Sequence, residues 1–337
     1  MTLGAVIVTW NSGAHIGACL DALRRHEPSI AIAVVDNASL DNTLAEARAR
    51  TGILIQPNPE NRGFAGAVNQ GIEMLGQCDL VLVLNPDAQV QTNLDALALQ
   101  FADAKTGACG GRLRDATGEP QTGFELRRFP TAAALVFETL GLNRLWPSNP
   151  VNRRYRCLDI DASVPCPAEQ PAGAFLMVRR EAWAQVGGFD ESFYPVWFED
   201  VDFLKRLDMA GWTIRFTPQA TAIHAGGHSV SQLEASGRNM AWYGSLLRYA
   251  VRHCSYAGRA AVCWAVFASA LPRAAMEAVR GRSFRPFFVC AGVMWISLSA
   301  CVASRFAGRR GMVLKPVLPA GVQEYAKLVN SGDRSPH

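Results

Sequence analysis

The first hundred residues alternate short apolar runs with amphipathic stretches, and this alternation constrains the fold more than any other feature of the chain. Ala5 to Thr9, Ile30 to Asp36, Ile53 to Gln56 and Asp79 to Leu84 read as buried strands. Between them His15 to Arg25, Thr43 to Arg50 and Gly66 to Leu75 read as helices. Strands and helices in strict alternation build a mostly parallel sheet with helices on both faces, an α/β fold. Ligands of such sheets bind beyond the carboxyl ends of the strands.

The strand ends are Thr9-Trp10-Asn11, Asp36-Asn37-Ala38-Ser39, Pro57-Asn58 and Asn85-Pro86-Asp87. A dehydrogenase needs GxGxxG after the first strand, and VTWNSG stands there instead. What the ends offer is hydroxyls, amides and two carboxylates, Asp36 and Asp87, a set that suits a nucleoside and a divalent cation. Asp36-Asn37-Ala38-Ser39 is also good turn chemistry, so Asp36 has a structural reading beside the functional one.

Composition adds a membrane to the picture. The chain has 337 residues, 49% of them apolar and only 18% charged, with a mean hydropathy of +0.06. The net charge of +4 is unevenly spread: Arg238 to Arg310 holds eleven arginines and one acid, Glu277, so the remainder is acidic. A local basic segment fits anionic lipid better than a nucleic-acid groove. Nine cysteines without a CxxC pair read as reduced core thiols rather than as a zinc site or disulfide framework. Met1 to Trp10 lacks a basic flank and a long apolar core, which makes it a first strand and not a signal peptide.

Six ordered strings, VIVTWNS, VVDNASLDNT, NPENRGFAGAVNQGI, LVLNPDAQV, PAGAFLMVRREAWAQVGGFDESF and FEDVDFLKRL, resemble glycosyltransferase family 2, most of all its rhamnosyltransferase branch. The likeness covers roughly residues 3 to 230, and agreement of ordered strings is far more specific than any one of them. It implies a GT-A fold, with a nucleotide-binding half at 1–100 and an acceptor-binding half at 101–236. It further implies that Thr9, Asn11, Asp36 and Arg62 hold the base and ribose. Asn85-Pro86-Asp87 stands where the family has its DxD motif, so Asp87 is the expected ligand for Mg2+ or Mn2+ and Asn85 the expected ribose contact. His224-Ala225-Gly226-Gly227-His228-Ser229 resembles the family loop that closes over the donor. That assigns His224 to the metal and His228 and Ser229 to the diphosphate, although a lone histidine is as readily structural.

In Glu199-Asp200, followed by Val201, Leu204 and Leu207 on one helical face, the acids fall in the first turn, where the helix dipole favours carboxylates. They read equally as ordinary helix-start acids. The resemblance to the family xED motif implies that Asp200 is the general base and that Glu199 orients the acceptor or the loop. The implied reaction is a single in-line displacement with inversion, which needs one essential acid, unlike a glycosidase with its two flanking carboxylates.

Residues 110 to 170 are expected to be irregular. Their arginines, Arg112, Arg114, Arg127, Arg128, Arg153, Arg154 and Arg156, suit either a path for a phosphate-bearing acceptor or a solvated loop. Beyond residue 236, Ala260 to Pro272 and Pro286 to Ser304 are apolar helical segments flanked by arginines, with a tail at 311–337. The first reading of 237–310 is a hairpin lying in the membrane interface; a spanning helix comes second and a homodimer contact third. The expected function is transfer of L-rhamnose from dTDP-L-rhamnose to a polyprenyl-diphosphate-linked or growing glycan acceptor, at the cytoplasmic face of the inner membrane, without nucleic acid. The alternatives are a UDP- or GDP-linked donor, or a non-catalytic membrane-bound glycan- or nucleotide-binding protein. The missing QxxRW string and the lack of several spanning helices argue against a processive synthase.

Overall fold

The computed structural model describes residues 1–227, 232, 235–281, 287, 290–295 and 297–298. Its contacts divide into two compact units. The first comprises Met1–Phe129, Arg153–Pro195 and Glu199–Ser231; the second comprises Pro130–Asn152, Val196–Phe198 and the chain from Gln232.

The first unit opens with β1 (Leu3–Thr9), α1 (Gly13–His26), β2 (Ala31–Asp36), α2 (Thr43–Arg48), β3 (Ile53–Pro57), α3 (Gly63–Met74) and β4 (Leu80–Leu84). It continues through β5 (Ala88–Val90), α4 (Asp95–Leu99), β6 (Thr106–Arg114) and β7 (Leu126–Arg127). In the second unit α5 (Ala132–Thr139) and α6 (Leu142–Leu145) follow, and α7 (Pro150–Tyr155) leads back to the first. There the chain forms β8 (Cys166–Pro167), β9 (Gln170–Pro171), β10 (Phe175–Arg179), α8 (Arg180–Gln185), α9 (Glu199–Met209) and β11 (Thr213–His224). The second unit continues with α10 (Ala235–His253) and α11 (Tyr256–Gly281).

The main sheet has the order β3-β2-β1-β4-β10-β6-β11-β5, with β8 on β11. Its first four strands are parallel, as the β/α alternation predicts. The other half is mixed: β10 runs antiparallel to β4 and β6, whereas β11 is parallel to β6 and antiparallel to β5. Helices on both faces require both faces of each strand to be apolar. In β1, Ala5 and Ile7 join one core with Ile16, Leu20 and Leu23 of α1, while Val6 and Val8 join the other with Val68 and Ile72 of α3. On that second side a Cβ on Gly71 would meet Val6 Cγ1 at 2.4 Å, so glycine lets α3 lie close on the sheet.

The same second core receives α9 through Phe203, Leu204 and Leu207, and Phe203 stacks on Phe189 with ring centroids 4.2 Å apart. Removing such a buried ring costs roughly 3–5 kcal/mol. Buried Asp202 bonds Arg206 one turn later at 2.8 Å, and Arg206 reaches the carbonyls of Val186 and Gly188. The first turn of α9, with Glu199 and Asp200, is therefore fixed against the body of the unit.

Two expectations need correction. Residues 110–170 are not irregular throughout, since they hold the end of β6 together with β7, α5, α6, α7 and β8. The helix expected to stop at Pro272 runs on to Gly281, with Pro272 inside it. Pro286 to Ser304 and the tail at 311–337 lie largely outside the described residues. Among the described residues, no helix is long and apolar enough to cross a membrane. The eight described cysteines are free thiols, and burial pushes Cys109 to about 12 and Cys157 to about 11, which keeps them unreactive.

Candidate active site

Strand register brings the first group together. Thr9 pairs with Asp36 across β1 and β2, and Asp36 with Pro57 across β2 and β3, so three strand ends lie side by side. Thr9 Oγ1 donates to Asp36 Oδ1 at 2.8 Å; Ser39 donates through its hydroxyl to Oδ1 and through its amide to Oδ2. Asp36 is fully buried and accepts three bonds. Asn11, at φ 48°, donates its amide to Ser39 Oγ and accepts the Leu40 amide on Oδ1. Arg62 joins this group through its backbone, whose amide donates to Asn37 Oδ1 at 3.3 Å. Its half-exposed guanidinium lies 3.8 Å from Glu191, a pairing that water weakens to about 0–1 kcal/mol.

A second group forms where β4 and β11 end. The antiparallel register of β5 and β11 sets Ala88 opposite His224. Asp87 Oδ1 lies 3.5 Å from His224 Nε2, and Asn85 Nδ2 lies 3.5 Å from the same nitrogen. The amides of Ala225 and Gly226 donate to the carbonyl and Oδ2 of Asp87. Gly226, at φ 75°, gives the loop this turn. Both side chains are buried, and burial lowers the His224 pKa by more than the Asp87 charge raises it, so the imidazole is neutral at pH 7. His228 and Ser229 lie outside the described residues.

The partners of His224 come from a segment in which the sequence singled out no binding residue. Gln121 Nε2 donates to the His224 carbonyl at 2.8 Å, and Gln121 Oε1 faces His224 Nδ1 at 3.1 Å. Phe124 stacks on the imidazole at 5.6 Å between centroids with 12° between planes. No periodic signal marks Gln121 or Phe124, because their partner lies about a hundred residues away and the segment is a loop.

The third group is Glu199 and Asp200 at the start of α9. Asp200 Oδ2 accepts the Gly173 amide at 3.1 Å and Oδ1 accepts the Val201 amide at 2.8 Å. Burial raises the Asp200 pKa, and those two bonds together with the charge of Arg127 offset part of the rise. Glu199 is buried, its Oε2 has no hydrogen-bond partner among the described residues, and burial and then the Asp200 charge lift its carboxyl well above the usual range. One backbone run links these groups: Asn85 donates its amide to the Ala174 carbonyl, Gly173 donates to Asp200, and Ala172 donates to the Glu125 carbonyl.

The loop arginines mostly brace their own segment. Arg112 bonds the Ala162 carbonyl and lies 3.4 Å from buried Glu125; Arg114 bonds Gly118, Arg127 and Arg156 bond Gly123, Arg128 bonds Arg154, and Arg153 bonds Leu158.

Known proteins show the family to which the chain belongs. Residues 5–168 match the model of glycosyl transferase family 2 and residues 155–304 that of glycosyl transferase family group 2. Over 283 residues the chain is 32% identical to the N-acetylglucosaminyl-diphospho-decaprenol L-rhamnosyltransferase of Mycobacterium tuberculosis, covering 74% of this chain and 89% of that one. The chain belongs to glycosyl transferase family 2. This glycosyltransferase is also 26% identical to the rhamnosyltransferase WbbL of Escherichia coli, over 44% of its own length and 53% of that protein.

Among solved structures, the glycosyltransferase shares its fold with GalNAc-T7, solved with UDP, GalNAc and Mn2+. That match has a TM-score of 0.54 and 15% identity, over 75% of this chain and 50% of that one. The mannosyltransferase PcManGT from Pyrobaculum calidifontis, solved with GDP-Man and Mn2+, matches at a TM-score of 0.50 and 17% identity, over 91% and 88%. These likenesses establish the GT-A fold of this family 2 glycosyltransferase.

Proposed function

We propose that the protein transfers L-rhamnose from dTDP-L-rhamnose, with inversion, to a polyprenyl-diphosphate-linked or growing glycan acceptor, using Mg2+ or Mn2+ held by Asp87 and His224. The observation that carries this reading is the facing of Asp87 Oδ1 and His224 Nε2 at 3.5 Å. A carboxylate oxygen and an imidazole nitrogen so placed are a donor set that fits a divalent cation. Among the described residues no group of three or more His, Cys, Asp or Glu is gathered for a metal; Asp87 and His224 would hold the cation together with oxygens of the donor diphosphate. When bound, the cation supplies Lewis-acid stabilisation of the departing diphosphate.

Thr9, Asn11, Asp36 and Arg62 form the nucleoside side of the pocket, and Asn85 meets the ribose. His228 and Ser229 contribute donors to the diphosphate. Asp200 takes the proton of the acceptor hydroxyl as its oxygen bonds to the anomeric carbon and the bond from that carbon to the diphosphate breaks. Its raised pKa makes it a stronger base than an ordinary aspartate. Glu199, beside it, positions the acceptor. The L-rhamnosyl group and the lipid-diphosphate acceptor are supported by the likeness to the mycobacterial N-acetylglucosaminyl-diphospho-decaprenol L-rhamnosyltransferase.

The same reading places the protein on the cytoplasmic face of the inner membrane. All exposed side chains described along α11 are uncharged, and the segment from Arg238 to Arg310 carries eleven arginines. An apolar face within a basic segment suits an anionic lipid surface.

A panel of dTDP-, UDP- and GDP-sugars with Mn2+ tests the donor. Thermal stabilisation by dTDP-L-rhamnose above the others, and an inverted product linkage by NMR, are expected. Stabilisation by a UDP- or GDP-sugar alone would overturn the donor, and a retained linkage the mechanism.

A further inference from the structure

We propose that Gln121 is the positioning residue that fixes the His224 ring, turning its unprotonated Nε2 toward Asp87 for the cation. The inference rests on the metal reading given above. The His224 carbonyl only accepts, so the group of Gln121 lying 2.8 Å from it is the NH2. That leaves Oε1 as the atom 3.1 Å from Nδ1. An amide oxygen only accepts as well, so Nδ1 carries the proton and Nε2 of the neutral ring holds the lone pair. A flipped amide would set two acceptors against each other at the carbonyl. Gln121 thus grips both backbone and ring of one residue, and Phe124, stacked on the imidazole, limits its rotation.

The loop that carries Gln121 is itself fixed. The Gln121 amide donates to the Leu113 carbonyl, and its carbonyl accepts from Phe124 and Glu125. Buried Glu125 accepts the Leu113 amide at 2.9 Å and lies 3.4 Å from Arg112. A residue that orients a ligating histidine through its distal nitrogen typically changes metal affinity by about 10–100-fold when lost.

The test compares wild type with Gln121→Met, Gln121→Glu and His224→Ala in the full chain. Mn2+ affinity is measured by titration in the presence of dTDP, and the ring tautomer by 15N NMR of histidine-labelled, metal-free protein. The methionine variant keeps the length of the side chain and loses the acceptor. It is expected to bind Mn2+ about 10–100-fold more weakly and to lose the Nδ1–H tautomer of His224. The glutamate variant loses the donor to the His224 carbonyl, as the methionine variant does, but still accepts from Nδ1–H, so it should keep that tautomer and bind Mn2+ better than the methionine variant. Equal weakening in both variants, with the tautomer unchanged, would mean that Gln121 only supports the loop and would overturn the proposal. If His224→Ala weakens Mn2+ binding and Gln121→Met does not, the proposal fails alone; if His224→Ala titrates like wild type, the metal reading fails and takes the proposal with it.

Discussion

The amide of Gly173 donates to Oδ2 of Asp200 at 3.1 Å, and a Cβ on that glycine would lie 3.0 Å from both Cβ and Oδ2 of the aspartate. With Val201 on the other oxygen, each carboxylate oxygen holds one backbone donor and keeps lone-pair capacity. The two donors favour the charged form, burial opposes it more strongly, and the outcome is a carboxylate of raised basicity held in one orientation.

Asp200→Asn keeps the shape and removes the base. Turnover should fall by roughly two to four orders of magnitude, while donor affinity measured by titration stays near wild type. Near-normal turnover would remove Asp200 from the mechanism.

Gly173→Ala should move the same carboxylate without touching its chemistry. The added methyl is tighter against Asp200 than ordinary contacts allow, so α9 or the 172–174 run must shift by a few tenths of an ångström. Turnover is expected to drop by about 10-fold or more with donor KM little changed, since misplacing a reacting group costs rate rather than ground-state binding. A proportional rise in KM would place Gly173 in the donor site instead.

The metal and the nucleoside should separate by substitution. Asp87→Ala and His224→Ala are expected to weaken Mn2+-dependent donor binding, whereas Asp36→Ala should weaken binding of thymidine without metal. Asp36→Ala also leaves the Thr9 hydroxyl and the Ser39 amide without their acceptor, at roughly 1–3 kcal/mol each when buried, so its melting temperature should fall as well. Unchanged thymidine binding in Asp36→Ala would make that residue a turn support only.

How far the sequence carries depends on where the signal lies. The β1–β4 half was legible because both faces of each strand are apolar and turns separate them; the observed boundaries of β1 to β4 fall within two residues of those read from periodicity. Asp87 and His224 could be singled out by the resemblance, and register sets Ala88 opposite His224, with the Asp87 carboxylate 3.5 Å from the imidazole. Gln121 and Phe124 were not legible, since a loop residue with a distant partner leaves no periodic trace. The mixed strands β10 and β11 escaped for a related reason, because antiparallel insertion into a parallel sheet is decided by tertiary pairing. Pro272 misled in the other direction, with the loss of one amide donor outweighed by the packing of α11.

Glu199 offers a test by pH. Its carboxyl is raised well above 4.5, so between that value and its folded pKa the native state binds more protons than the unfolded chain. Its contribution to stability is full below 4.5 and declines as pH rises through the folded pKa. Glu199→Gln removes this decline. The melting temperature of the variant minus that of wild type should therefore grow from about pH 5 to about pH 8. A difference that is flat with pH would mean that Glu199 ionises normally.

The membrane prediction rests on which side of α11 is covered. Val262, Cys263, Val266, Ala270 and Ala274 are buried. Arg273, the helix's mid-span charge, folds back with Nη2 on the Thr139 carbonyl at 2.9 Å and its guanidinium over Tyr243. Exposed among its described side chains are Tyr256, Ala257, Ala261, Trp264, Ala268, Leu271, Pro272, Ala275, Met276 and Val279, with Trp264 64% and Val279 80% exposed. Water penalises such a stripe by about 25 cal/mol per Å², and each arginine near an anionic surface adds on the order of 1 kcal/mol to binding. Truncating the chain after residue 236 would be a poor test, because α5 packs on α11 through Ala132 and Thr139 and would be uncovered. Point changes avoid that. The pair Trp264→Glu and Leu271→Glu should sharply reduce cosedimentation with phosphatidylglycerol vesicles and leave thermal stabilisation by donor intact. Raising salt should strip wild type only partly, since screening weakens the arginine attraction and leaves apolar insertion untouched. Should the double variant bind vesicles normally but sediment as a monomer where wild type is a dimer, the stripe is the face of a second copy of the chain and the lipid assignment is wrong.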